Sequence, residues 1–202
     1  MFARRAAFVT ALMLLGFSAG FAQTAPAAPV QAFGRALLDV MRAGKATPFA
    51  QRAAKLRPVV AATFDLEQIL RSSVGVTRWN AMAPTMRADL LTAFTDFTVA
   101  TWVANFDSYE GEKFEVAPET RNVETDVVVS TRIVPTQGDA TRLDYVMRSG
   151  NAGWRAIDIL LDGSISRVAV QRSDFRGTLS KGEGALLDLL RGKAADLAIG
   201  AK

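Results

Sequence analysis

The chain contains neither histidine nor cysteine, so the residue types that most often serve as general base, nucleophile or zinc ligand are missing. Of the groups that remain, Asp158 stands among Ile157, Ile159 and Leu160, and an apolar setting can fit a carboxylate for work as a base. The same setting suits a structural acid that pairs with an arginine such as Arg172 or accepts backbone N–H bonds, since buried acids are normally partnered. Ser164 follows Gly163 without a Gly-x-Ser-x-Gly elbow and has no base to activate it. No glycine-rich phosphate loop follows a strand. Any catalysis would rest on carboxylates alone, and no set of residues suggests a metal or a cofactor.

The elements that would position Asp158 centre on a run of alternating residues. A strand over Val123–Val134 puts Val123, Thr125, Val127, Val129, Thr131 and Ile133 on one face. A second, Thr141–Arg148, opposes Leu143, Tyr145 and Met147 to charged residues. A third, Trp154–Leu161, sets Ile157, Ile159 and Leu161 against Trp154, Ala156, Asp158 and Leu160, which makes it central and covered on both sides. Gln137-Gly138-Asp139 and Ser149 to Gly153 supply the turns of two hairpins. Arg132, Arg142, Arg148 and Arg155 fall on the polar sides, where they are solvated strand charges or could steer an anionic group.

A sheet with one apolar face needs helices over it. Val30, Phe33, Leu37, Val40 and Met41 share a helical face that Gly44 ends. Thr47 is expected to cap a second helix, with Pro48 at its first position and a kink or break at Pro58. Asp65 and Gln68 resemble a capping box for a short helix stopped by Gly75. The longest helix is expected from Pro84 to about Tyr109, with Leu90, Phe94, Phe97 and Thr101 on one track and Trp102 and Phe106 on the track beside it. An apolar stripe that wide must be covered on more than one side or border a cavity. A short edge strand over Lys113–Val116, a helix over Ser164–Leu179 and a last helix over Ala185–Leu197 complete the elements. Trp102, Phe106, Tyr145, Met147 and Trp154 are then either plain core or the lining of a pocket.

At 202 residues, half of them hydrophobic and 22% charged, the chain suffices for one domain with a sizeable core. Arg4 and Arg5 precede an apolar run to Phe21, and Gly20-Phe21-Ala22 offers small residues to a peptidase, so residues 1–22 read as a secretory signal peptide. The run falls short of the roughly 20 residues of a comfortable membrane anchor. Without Arg4 and Arg5 the 24 basic residues fall to 22, against 20 acids. That near-neutral balance gives no sign of a nucleic-acid partner. Residues 23–29, rich in Ala and Pro, read as a flexible leader, and residues 30–197 as a single domain. Within it, 30–83 are mostly helical, 84–179 hold the long helix, the sheet and the following helix, and 183–197 form the last helix.

One pattern is spread over nearly all of residues 30–193. It comprises Phe64-Asp65-Leu66 with Ile69, Gly75 and Trp79; Phe94 through Thr101-Trp102, Phe106 and Tyr109-Glu110-Gly111; and Tyr145, Trp154, Ile157-Asp158-Ile159, Gly163-Ser164-Ile165-Ser166, Arg172, Phe175 and Leu190. In this the chain resembles the MlaC-type (toluene-tolerance) periplasmic lipid carriers, and most closely the branch associated with hopanoid biosynthesis. It departs from them in carrying Trp102 where they usually have Tyr, and in the shorter turn at Ala152-Gly153. The resemblance implies an α+β fold similar to the NTF2-like cone, a curved antiparallel sheet wrapped around a long helix with an additional helical subdomain. It also implies a monomeric, non-enzymatic periplasmic carrier with lipid as its only ligand. Such a carrier moves phospholipid or hopanoid-type lipid between an outer-membrane lipoprotein complex and an inner-membrane ABC transporter bearing a lipid-binding subunit.

With the resemblance in view, the lipid cavity is expected to be lined by Leu90, Phe94, Phe97, Thr101, Trp102, Phe106, Val127, Val129, Ile133, Leu143, Tyr145 and Met147. A charge at Val129 or Met147 is then expected to abolish loading and leave the fold intact. Two other readings stand beside this one: an NTF2-like enzyme acting on a small apolar substrate with Asp158 as base, and a structural adaptor of the cell envelope.

Overall fold

The computed structural model describes residues 25–200; the signal peptide expected over residues 1–22 lies outside them. The chain runs through four helices, α1 (Ala27–Ala43), α2 (Phe49–Thr63), α3 (Leu66–Val74) and α4 (Val76–Ala81), into the long helix α5 (Pro84–Asn105). Strands β1 (Lys113–Val123), β2 (Asp126–Val134), β3 (Thr141–Gly150), β4 (Gly153–Leu161) and β5 (Ile165–Ser166) follow, and α6 (Arg167–Leu179) and α7 (Glu183–Gly200) close the chain. The five strands form one open antiparallel sheet in sequence order. The architecture is α+β, as the alternation of the strands and the helical stripes require.

The inner face of the sheet carries Val129, Thr131 and Ile133 of β2 and Leu143, Tyr145 and Met147 of β3, all buried. Phe33 of α1 meets this face edge-on, with ring centroids 5.2 Å from Phe64 and 6.3 Å from Tyr145. Helix α1 comes close to the sheet because position 34 is glycine. A Cβ there would stand 2.2 Å from Cδ1 and 2.6 Å from Cγ of Phe114 on β1. Cγ is the fixed root of that ring, not its free end, so the ring cannot simply swing aside. Gly34→Ala is therefore expected to cost about 1–2 kcal/mol, the overpacking outweighing the gain in helix propensity. A shift in the denaturant midpoint measures it.

Several elements differ from the pattern in the sequence, each for a local reason. The expected strand Val123–Val134 is cut at its start by a two-residue turn, Glu124-Thr125, with Glu124 at φ 52° and Val123 paired to Asp126. The short edge strand expected at Lys113–Val116 is instead the eleven-residue β1, whose register shifts between Val116 and Thr120 around Pro118. In β4 the register shifts so that Ala156 faces Met147 while Asp158 faces Val146. That one-residue slip moves Ile157 off the face it was expected to share with Ile159 and Leu161.

Helix α2 continues through Pro58, which is exposed, so water can meet the carbonyl that loses its partner. Thr47 gives α2 no side-chain cap; the helix starts after Pro48. Asp65 does cap α3, accepting the Gln68 N–H at 3.0 Å, but the Gln68 side chain turns to Ser72 and leaves the box half made. Helix α1 begins at Ala27, inside the expected leader; α5 stops at Asn105 rather than Tyr109. Helix α6 starts only after β5, and α4, which the sequence did not reveal, fills the space between Gly75 and Met82. Helix α7 begins before Ala185 and runs past Leu197.

Candidate functional site

Between α5 and the inner face of the sheet lies a cavity of about 360 Å³. Helix α5 turns Phe94, Phe97, Thr98, Thr101, Trp102 and Asn105 toward it, an i, i+3, i+4 spacing that keeps them on one side of the helix, and Phe106 just past its end joins them. The sheet supplies Thr141 and Leu143 from β3 and Asp158, Ile159 and Leu161 from β4. Phe64 and two residues of α3, Leu66 and Ile69, close one side, and Arg167, Val168 and Gln171 of α6 close another. Most of these groups are hydrocarbon. The volume falls in the usual range for small-molecule sites, about 300–1,000 Å³.

Aromatic rings form one wall. Trp102 stacks on Phe106 one turn on, with centroids 5.5 Å apart, and meets Phe33 edge-on at 4.8 Å. Phe64 stacks near Trp102 at 6.3 Å and touches Tyr145 at 6.1 Å. Phe33 and Tyr145 are fully buried behind this wall and do not reach the cavity. Among the described residues the Tyr145 hydroxyl has no hydrogen-bond partner, and burial pushes its phenol well above the ordinary tyrosine range.

Of the twelve residues expected to line a lipid cavity, six stand on the wall of this one: Phe94, Phe97, Thr101, Trp102, Phe106 and Leu143. Leu90, Val129, Tyr145 and Met147 are completely buried in the core, Ile133 is nearly so, and Val127 is half-buried beyond the cavity's edge. A charge at Val129 or Met147 would therefore strike the core before it reached the cavity. The apolar lining that the twelve did not include comes from elements other than α5, β2 and β3: Phe64 and, on α3, Leu66 and Ile69, then Ile159 and Leu161 on β4 and Val168 on α6. Each of these positions is apolar and faces inward by its own period, and that period was the available signal. The polar lining residues Asn105, Thr141, Arg167 and Gln171 gave no such signal.

Asp158 reaches the cavity wall with its carboxylate already occupied. Oδ1 accepts the N–H of Ile159 at 2.8 Å and of Val168 at 3.1 Å, and Oδ2 accepts the hydroxyl of Ser166. Ser166 Oγ in turn accepts the Ala169 N–H at 3.0 Å. Asp158 and Ser166 thus cap the first turn of α6 together, at the end where a helix attracts negative charge. Of the two structural partnerships open to this acid, backbone N–H groups and not Arg172 hold it. Among the described residues no cluster of acids is placed to hold a metal ion.

The arginines of the strands lie on the outer face. Arg142 grips Asp144 with two bonds, 3.0 and 2.7 Å, and Arg148 grips Asp126 with two of 2.7 Å. The bound carboxylates raise both guanidinium pKa values above the ordinary arginine range. Arg132 stands opposite Arg142 on the next strand, and none of Arg132, Arg142, Arg148 and Arg155 lines the cavity.

Comparison with solved structures finds a similar fold in the phospholipid-binding protein from Ralstonia solanacearum, which was determined in complex with a phospholipid. The two share 20% identity and superpose with a TM-score of 0.73 over 87% of this chain and 99% of that one. No curated protein sequence matches the chain. The family model of the MlaC protein matches residues 31–191, from the second turn of α1 to α7. With four-fifths of its length inside that match and the same fold in a solved relative, the chain belongs to the MlaC family.

Proposed function

We propose that this protein is a periplasmic lipid carrier that takes the acyl tails of a phospholipid, or of a hopanoid-type lipid, into the cavity between α5 and the sheet. One observation carries the reading: a cavity walled by Phe94, Phe97, Trp102, Phe106, Leu143, Ile159 and Leu161, with polar groups confined to a few positions. Each methylene moved from water to such a wall is worth roughly 0.8 kcal/mol, so a long acyl chain faces a barrier on the order of ten kcal/mol to crossing water unaided. A carrier removes that barrier by moving the tails with their apolar surroundings. The membership in the MlaC family and the phospholipid bound to the Ralstonia protein support this chemistry.

The carrier works as a monomer between an outer-membrane lipoprotein complex and an inner-membrane ABC transporter with a lipid-binding subunit. It performs no covalent step. Asp158, the residue on which the enzymatic reading depends, accepts three hydrogen bonds, from Ile159 of its own strand and from Ser166 and Val168 at the start of α6, and so has the place of a structural acid that caps a helix.

Native mass spectrometry of the protein purified from its own cells is expected to show one mass increment per chain that organic solvent removes and that mass analysis identifies as a phospholipid or hopanoid. A clean polypeptide mass with nothing extractable would overturn the reading. The adaptor alternative predicts instead that the delipidated protein keeps full affinity for its envelope partners, with no lipid passing between them.

A further inference from the structure

The cavity carries one positive charge, and the acid nearest to hand does not neutralise it. Arg167 lines the wall at the first position of α6, half-buried, on the same wall as Asp158. Asp158 is held by Ser166 and the Val168 N–H. Among the described residues no acid lies within 4.0 Å of the Arg167 guanidinium, and it is the one cation of the cavity lining. The placement is also unfavourable within the helix. A cation in the first turn opposes the macrodipole, and the first turn of α6 contains no acid. Arg167 is itself half-exposed, and Thr141 and Asn105 of the same cavity's lining are exposed, so the cavity has polar residues that reach solvent, where the polar end of an amphiphile would stay.

We propose that Arg167 reads the head group of the cargo: its unneutralised guanidinium at the edge of an apolar cavity binds a phosphate-type oxyanion and favours lipids whose head group is net negative over zwitterionic ones. The inference rests on the carrier reading above and adds to it the residue that selects. A guanidinium offers a planar fork of donors to phosphate oxygens, and low-dielectric walls on one side strengthen that bond. In a zwitterionic lipid the head group's own ammonium competes for the same oxygens.

The test uses the delipidated full chain and vesicles of phosphatidylglycerol or phosphatidylcholine with matched tails, reading lipid taken up per protein in competition. The wild type is expected to prefer phosphatidylglycerol by about three- to tenfold, the range of one charge-assisted hydrogen bond at a half-exposed site. The preference shrinks as salt is raised. Arg167→Gln brings the ratio close to one by losing the anionic lipid, and Arg167→Glu inverts it.

A wild type that takes up both lipids equally, or an Arg167→Gln chain that keeps the preference, overturns the inference and leaves the carrier reading standing. A wild type that takes up neither overturns both. Glycerophosphate, which has the oxyanion without tails, is expected not to displace bound lipid; displacement at comparable concentration would make this a site for free phosphate and overturn the assignment to a lipid head group.

Discussion

Thr101→Arg is expected to leave the protein folded and empty. Thr101 is half-exposed on the cavity side of α5, with Trp102 beside it and Phe97 one turn before. What the substitution removes is small: the hydroxyl bonds back to the Phe97 carbonyl at 2.8 Å, a local bond that slightly disfavours helix. Arginine is the better helix former of the two, so stability should stay within about 1 kcal/mol of the delipidated wild type. The cavity gives the new side chain room, and its stem occupies space meant for methylenes. Its charge sits where hydrocarbon must go, and a bound lipid would have to bury it without a partner.

Losing three or four methylene contacts and desolvating a charge amounts to about 3 kcal/mol or more, at least a hundredfold in affinity. Lipid phosphorus per chain after purification, beside a thermal melt, checks it; a folded Thr101→Arg protein with its full complement of lipid would mean that the tails lie elsewhere. The same charge at Met147 or Val129 is expected to do the reverse and unfold the chain. Both side chains are completely buried among protein atoms, and no cavity receives the charge.

That contrast explains how far the site was legible. Period alone tells which residues face inward, and it placed Val129, Met147, Phe97 and Thr101 on the same side of things. It does not tell whether the inward space is filled. Over Tyr145 it is filled by α1, which Gly34 lets come close to β1, with Phe33 between Tyr145 and Trp102. Near Leu143, Ile159 and Leu161 it is not. Which half of the sheet a helix covers is a long-range fact, set by how α1 crosses it, and no local spacing records it.

The fold itself was more visible, because the α+β layering follows from periods of two and 3.6 and from the loops between them. Its errors cluster where a turn has no signature residue. Glu124-Thr125 reverses the chain with a non-glycine at positive φ, so the start of β2 was read as part of a longer strand and the rest of β1 was missed. The β4 register shift likewise leaves no mark in composition, yet it decides that Ala156, and not Ile157, stands opposite Met147.

Arg52→Ala is expected to cost about 3–5 kcal/mol, a loss of the size seen on truncating a large buried side chain. Arg52 is completely buried, and none of the described acids pairs with it. Its Nε donates to the Thr47 carbonyl at 3.1 Å and its Nη1 to the Val103 carbonyl at 3.1 Å. Val103 is in the last turn of α5, whose carbonyls have no partner within the helix and carry its negative pole. Backbone oxygen and dipole therefore stand in for a carboxylate, with the Phe49 ring beneath the guanidinium at 5.8 Å.

Truncation to alanine removes the packing and strands one buried carbonyl, that of Val103, and one partly buried, that of Thr47. Arg52→Lys should recover little, because an ammonium on a flexible stem cannot fork to both oxygens, whereas Arg52→Met should recover the packing alone and fall between. Denaturant unfolding of the three variants is expected to give the order Met, Lys, Ala from least to most damaged, with Lys close to Ala. A variant series in which alanine costs less than about 1 kcal/mol would show that the guanidinium is dispensable to the fold. The effect should extend to the ligand, since the turn that Arg52 holds is the one that presents Trp102, Asn105 and Phe106 to the cavity. Lipid is then expected to leave Arg52→Met faster than the wild type at a temperature where both are folded, and equal rates would confine Arg52 to stability.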